Sequence, residues 1–75
     1  MSAPIVVLDA RGLEPPEPMI RILEALASLP KDSDLQALTD RRPVHLYPML
    51  EQRGYQAETQ PAPDRGFVTR IRHRS

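Results

Sequence analysis

Length, composition and charge exclude several classes of protein. A chain of 75 residues buries only about 60% of its unfolded surface, so we expect one domain spanning residues 1–75 with a single core. Ten Lys and Arg residues balance ten Asp and Glu residues, which argues against a dedicated nucleic-acid binder. The absence of cysteine excludes disulfides, thiolate metal sites and a thiol nucleophile.

A strand followed by an amphipathic helix is predicted for the first part of the chain. The β-branched run from Ile5 to Leu8, closed by the polar segment 9–12, predicts a buried strand. Apolar residues then recur at helical spacing from Pro16 to Leu29, and Pro30 marks the end of this helix. The expected buried face of the helix consists of Met19, Ile20, Leu23, Leu26 and Ala27.

The same apolar run bears on location. Residues 5–8 form the longest apolar stretch, which is far shorter than the roughly 20 residues that cross a bilayer. The first residues also lack the basic region and apolar core of a signal peptide. We therefore expect a cytoplasmic protein with no membrane partner.

A second strand and a second helix are predicted next. The short apolar segment 35–39 favours a strand. Leu46, Met49 and Leu50 follow at helical spacing, and Gly54 is suited to end that helix. Both Pro43 and the later proline at position 48 are compatible with the helix start, and the sequence leaves the choice open.

The last third of the chain predicts two strands joined by a hairpin. Residues 55–60 and 67–73 alternate in polarity, and the connection 61–66 is rich in proline and contains Gly66. The resulting order is β-α-β-α-β-β. It predicts an α+β two-layer sandwich with two helices on one face of a four-stranded mixed sheet.

The segment from Asp9 to Pro18 resembles a known family signature. The TusA/SirA-like sulfur carriers have the pattern D-x-R-G-L-x-C-P-x-P between the first strand and the first helix, and here Pro15 stands at the cysteine position. The chain is more similar to a cysteine-free branch of that superfamily, a domain of unknown function with an R-x-L-x-P-P start and an Asp-x-x-Pro-x-x-Leu segment. Asp40, Pro43 and Leu46 fit the latter segment. The resemblance implies a TusA-like fold over the whole chain.

The substitution at Pro15 removes the chemistry that the resemblance would otherwise imply. A sulfur carrier needs a thiolate that attacks a donor persulfide, and proline has neither a nucleophile nor a backbone N–H. Pro16 also lacks an N–H at the helix start, and the nearby Glu14 and Glu17 would repel an anion there. We therefore expect no enzyme activity, and a segment that is either a rigid junction or a stiff recognition surface.

A second polar cluster precedes the second helix. Arg41 and Arg42 could hold a carboxylate or phosphate, with His45 donating or accepting a proton. The alternative is a solvated helix start capped by Asp40. The two histidines, His45 and His73, have no metal-ligand spacing, so we expect no metal and no cofactor.

The C-terminal arginines Arg70, Arg72 and Arg74 alternate along the last strand. They could form a basic stripe on the open sheet face that suits RNA or an acidic partner. The alternative is cross-strand pairing with Glu58 and neighbouring glutamines.

The function that these observations favour is a non-catalytic binding or interaction domain on a TusA-like scaffold. Its expected partner is a protein or a small anionic ligand. An accessory partner in a sulfur-relay or redox pathway and a weak RNA-binding module are the alternatives, and the oligomeric state stays open. The expected binding surface comprises Arg11, Glu14, Pro15, Pro16, Arg41, Arg42 and His45.

Overall fold

The secondary-structure elements follow the predicted order of strand, helix, strand, helix, strand, strand. The computed structural model describes residues 4–74. The elements are β1 (Ile5–Asp9), α1 (Glu17–Ala27), β2 (Asp34–Thr39), α2 (Leu46–Gln52), β3 (Tyr55–Pro61) and β4 (Phe67–His73). Neither helix in this described part of the chain is long and apolar enough to cross a membrane.

The strands form one mixed sheet in the spatial order β1-β2-β4-β3. β1 and β2 are parallel, as the intervening helix α1 requires, and β4 is antiparallel to both β2 and β3. The hairpin between β3 and β4 is closed by a hydrogen bond from the N–H of Ala62 to the carbonyl oxygen of Gly66, at 2.9 Å. Within residues 4–74, β1 and β3 are the edge strands. The prediction of a buried strand for the run from Ile5 to Leu8 is wrong, because β1 has a neighbour on one side only among the described residues, and Ile5, Val6 and Val7 are exposed.

Both helices pack on the same face of the sheet. Leu35 of β2 lies opposite Ile71 of β4, and Ala37 follows on the same face of the sheet because strand side chains alternate. These strand residues belong to one buried cluster with residues of both helices. The helix and loop members of that cluster are Ile22, Leu26, Leu29, Leu46 and Leu50. The architecture confirms the predicted α+β fold, with the second face of the sheet uncovered by any described element.

The buried face of α1 is rotated relative to the prediction. Ile22, which the predicted face omitted, is fully buried, whereas Ile20 is 42% exposed and Ala27 is exposed. Met19 and Leu23 lie beside the core without being fully buried. The physical reason is that apolar residues occupy more of the circumference of α1 than the sheet can cover, so several faces satisfy the same periodicity.

The start of α2 lies between the two prolines that the sequence left as alternatives. The N–H of Leu46 donates to the carbonyl oxygen of Pro43 at 3.0 Å, and the helix continues from Leu46. Pro48 therefore lies in the first turn, where the N–H that proline lacks would have no helical partner. The prediction of Asp40 as the cap is wrong, because His45 occupies the N-cap position and makes no side-chain cap hydrogen bond.

Candidate functional site

The loops that follow β1 and β2 lie side by side. The carboxyl ends of adjacent parallel strands meet at one edge of the sheet, so both loops leave from that edge. The N–H of Gly12 in the first loop donates to Oδ2 of Asp40 in the second, at 2.7 Å. We call these two segments, residues 10–16 and 40–45, the loop platform.

Arg11 fastens the platform to the rest of the molecule. Its Nε and one terminal nitrogen donate to the two carboxylate oxygens of Asp9, both at 3.0 Å. Its other terminal nitrogen donates to both oxygens of Asp64 in the β3–β4 hairpin, at 3.0 and 2.8 Å. The Arg11 side chain is only 16% exposed. One guanidinium therefore joins the end of β1 to a hairpin more than fifty residues away in sequence.

The electrostatics of this cluster hold all three groups in their charged forms. Hydrogen bonds from the Arg11 side chain, followed by one from its backbone N–H, lower the pKa of Asp9 from 3.8 to about 2. The backbone N–H of Arg65, and next the Arg11 guanidinium, lower the pKa of Asp64. The hydrogen bonds to Asp9 and then to Asp64 raise the pKa of Arg11 in return. Most of the donors of Arg11 are thus engaged inside the protein, which makes it an organising residue of the platform.

Gly66 allows the hairpin to approach this cluster closely. Its backbone has a φ of 75°, in the left-handed region that favours glycine. A Cβ at this position would overlap the backbone oxygen of Thr39 and would lie 3.5 Å from Cδ of Arg11. The absence of a side chain at position 66 therefore lets the hairpin reach both β2 and Arg11.

The exposed part of the platform has an acidic, proline-rich side. Glu14, Pro15 and Pro16 are all exposed, and the N–H of Glu17 donates to the carbonyl oxygen of Glu14 at 2.8 Å to form the turn into α1. These three side chains share the loop with Arg11 but lie on its accessible surface.

Basic residues form the other side of the platform. Arg41, Arg42 and His45 are exposed. The guanidinium carbon of Arg42 lies 5.0 Å from the ring centroid of Phe67, a cation–π geometry that limits the movement of this side chain. The structure thus brings the two predicted segments together, while the hydrogen bonds of the Arg11 side chain run to Asp9, to the hairpin and to no residue of this basic group among residues 4–74.

The C-terminal arginines are arranged differently from the prediction. Arg70 lies opposite Glu58 in the register of β3 and β4, yet its guanidinium donates to Oδ2 of Asp34 on β2, at 3.1 and 2.8 Å. The side chain of Asp34 is largely buried, so its carboxylate holds Arg70 better than an exposed Glu58 would. Arg72 lies opposite Gln56. The middle of the open sheet face therefore carries charges of both signs.

A polar groove that was not predicted from the sequence lies between α2 and β3. The hydroxyls of Tyr47 and Thr59 are hydrogen bonded, and Thr59 is in turn 2.9 Å from the hydroxyl of Thr69. These groups lie at a groove of about 520 Å³ that is also lined by Tyr55 and Arg74. Among residues 4–74, no group of three or more His, Cys, Asp or Glu side chains could hold a metal ion. The expected absence of metals and cofactors stays a prediction.

Sequence reasoning missed the groups that organise the platform. Asp9 was recognisable from its spacing of two residues from Arg11, which suits a local ion pair. Asp64, Gly66 and Phe67 carried no comparable signal, because their contacts join segments that are distant in sequence. Asp40 was interpreted from the sequence as a helix cap, so its role as the acceptor for the N–H of Gly12 was not predicted.

The fold and the platform define a small α+β domain in which two strand-to-helix loops share one edge of a mixed sheet. Residues 7–73 match the family described as uncharacterized conserved protein (DUF2249), and the chain belongs to that family. No curated protein and no solved structure matches the chain.

Proposed function

We propose that this chain is a non-catalytic docking domain that binds another protein through the loop platform. The observation that carries the proposal is the contrast between the inside and the outside of the platform. Inside, Arg11 and Asp40 bind the loops to the hairpin and to each other. Outside, the residues that could meet a partner are exposed, namely Glu14, Pro15, Pro16, Arg41, Arg42 and His45. A surface held rigid before binding loses little conformational entropy when a partner binds.

The exposed arginines favour a protein partner over a small anion. Small-molecule sites are concave and enclose most of the ligand, whereas Arg41 and Arg42 stand on an exposed loop. A protein that covers the platform excludes water from these guanidinium groups and so strengthens their attraction to its own carboxylates. The expected partner surface is therefore acidic where it meets Arg41 and Arg42.

Sulfur-carrier activity is not part of the proposal, because the chain has no cysteine and Pro15 occupies the relevant position. The relationship to TusA/SirA-like proteins belongs to the proposal, and it is supported by the loop sequence from Asp9 to Pro18 and by the order of the elements. A cytoplasmic location belongs to it as well, and rests on the short apolar stretches of the sequence. An accessory role in a sulfur-relay pathway is the narrower form of the same hypothesis.

The alternative of an RNA-binding module is less favoured. The pairing of Arg70 with Asp34 makes the open sheet face less basic than an RNA-binding surface requires.

Charge reversal on the platform tests this proposal. The full chain, its Arg41→Glu/Arg42→Glu double variant and an Arg53→Glu control are each used to capture proteins from the native lysate, which are then measured by quantitative mass spectrometry. Arg53 is exposed at the opposite end of α2, so it matches the change in residue type without touching the platform. We expect a discrete set of proteins that is retained by the control and lost with the double variant. Equal retention by both variants, equal loss in both, or no enrichment by the unaltered chain would refute the proposal.

A further inference from the structure

The two edge strands differ in what they present to solvent. On β1, the residues Ile5, Val6 and Val7 are 46%, 43% and 62% exposed. β3 carries polar side chains on its open face, among them Glu58, and ends at Pro61. Charged residues and proline are the usual features that prevent edge strands from pairing with other chains. β3 has them, whereas the exposed part of β1 is apolar on both faces.

The backbone groups of β1 that point away from the sheet belong to its odd-numbered residues. The carbonyl oxygen of Pro4 and the N–H of Ala10 both hydrogen bond to β2, at 2.9 and 2.8 Å. Alternate residues of a parallel strand hydrogen bond to the same neighbour. The backbone N–H and C=O groups of the even-numbered residues of β1 therefore point toward β2. Ile5 and Val7 therefore direct their N–H and C=O groups outward, where no strand among residues 4–74 pairs with them.

We propose that β1 pairs in antiparallel fashion with β1 of a second copy of this chain, about a two-fold axis at Val6. In this register Ile5 of each copy lies opposite Val7 of the other, and each such pair exchanges two backbone hydrogen bonds. Val6 lies opposite Val6 of the second copy on the helix-covered side of the sheet. A register centred on Val7 would instead set Ile5 against Asp9, whose carboxylate is already ion paired with Arg11, and is less favourable.

A second copy is the occupant because the segment is complementary to itself. A two-fold axis uses the same patch on both subunits, and here that patch pairs apolar side chains with apolar side chains. The segment from Pro4 to Leu8 has no charged residue, and the chain has a formal net charge of zero, so two copies do not repel each other. Two short strands bury less than the roughly 1,200 Å² at the lower end of standard interfaces, so we expect a reversible dimer with a dissociation constant on the order of 100 μM.

Sedimentation of the full chain at concentrations from about 10 μM to about 1 mM tests the dimer. We expect the unaltered chain to pass from monomer to dimer, and Val7→Lys to remain monomeric because it places charge at the paired edge. Val44→Lys is the matched control, since Val44 is 52% exposed in the loop before α2. A monomeric unaltered chain overturns the proposal. Loss of the dimer in Val44→Lys, or its survival in Val7→Lys, overturns it as well.

Disulfide formation tests the register and does not depend on whether the lysine variant folds. The chain has no cysteine, so a single introduced thiol can bond only to its equivalent in a second copy. Val6→Cys should crosslink rapidly, because residues opposite each other at a non-hydrogen-bonded position lie about 4.5 Å apart. In the proposed register the two copies of residue 7 are diagonal neighbours, with Cα atoms about 7–8 Å apart, so Val7→Cys should crosslink poorly. Val44→Cys should crosslink poorly as well. Preferential crosslinking of Val7→Cys, or no preference among the three variants, would contradict the proposed pairing.

Discussion

At the scale of single residues, the platform depends on contacts that no local rule describes. Arg11 is charged and sits in a loop, yet its guanidinium is mostly covered and holds two carboxylates. Gly66 has the positive φ of an ordinary turn glycine, yet its missing side chain also makes room for the backbone of Thr39. Both residues position the loop platform through contacts inside the protein.

Replacing Arg11 should change the acid titration of Asp9. The depressed pKa of Asp9 means that its ion pair stabilises the fold fully above the ordinary value of 3.8, and that this contribution is lost as the pH falls through about 2. In Arg11→Met, NMR titration of the Asp9 carboxyl carbon should show a pKa that rises toward 3.8. The difference in melting temperature between Arg11→Met and the unaltered chain should shrink as the pH is lowered from 7 to 2.

Arg21→Met is the control for this titration, because Arg21 forms an exposed pair with Glu17 on α1, away from Asp9. It should leave the Asp9 titration unchanged. An Asp9 midpoint that is the same in Arg11→Met and in the unaltered chain would show that the guanidinium does not hold this carboxylate in solution.

A pair of glycine substitutions separates close packing from backbone conformation. Gly54 and Gly66 both have positive φ, 84° and 75°, but a Cβ on Gly54 would meet open space. Gly54→Ala should therefore cost about 1 kcal/mol, from the left-handed conformation alone. Gly66→Ala adds the overlap with Thr39 and should cost about 3 kcal/mol. Urea unfolding measures both, and equal losses would mean that the hairpin does not approach β2 as described.

At the scale of elements, the sequence was informative about where strands and helices occur and less so about which way they face. Alternation predicted β3 and β4 because each strand has one polar and one apolar face. The rotation of α1 could not be read in the same way, since Ile20 and Ile22 are equally apolar. Only contact with the sheet distinguishes these two isoleucines, and of the two it buries Ile22.

Truncation of these two isoleucines tests the orientation of α1. Ile22→Ala removes a fully buried side chain from the core and should lower the free energy of unfolding by about 2–5 kcal/mol. Ile20→Ala makes the same chemical change on the exposed flank and should cost less than about 1 kcal/mol. If Ile22→Ala does not fold, Ile22→Val should still cost about 0.5–1.5 kcal/mol by urea unfolding. A larger loss for Ile20→Ala would reverse the assigned orientation.

At the scale of the whole molecule, the fold was predictable because each element has its own local pattern, and the order of the elements restricts how they can pack. The site was predictable only in part. The two loops could be placed at one edge of the sheet from the parallel pairing of β1 and β2. The ion pair between Arg11 and Asp64 could not, because either residue could equally well be solvated in a loop. The division of the platform into an organising interior and an exposed surface therefore emerges only from the folded molecule.

Photo-crosslinking from the platform is the most direct test of the docking role. A benzoylphenylalanine is placed at His45 in one preparation and at Arg53 in the other, both exposed positions beside opposite ends of α2. After irradiation in the native lysate, we expect a discrete covalent adduct from position 45, formed with a protein that the Arg41→Glu/Arg42→Glu variant fails to capture, and none from position 53. Adducts from position 53 alone, or from neither position, would contradict the assignment of the loop platform as the docking surface.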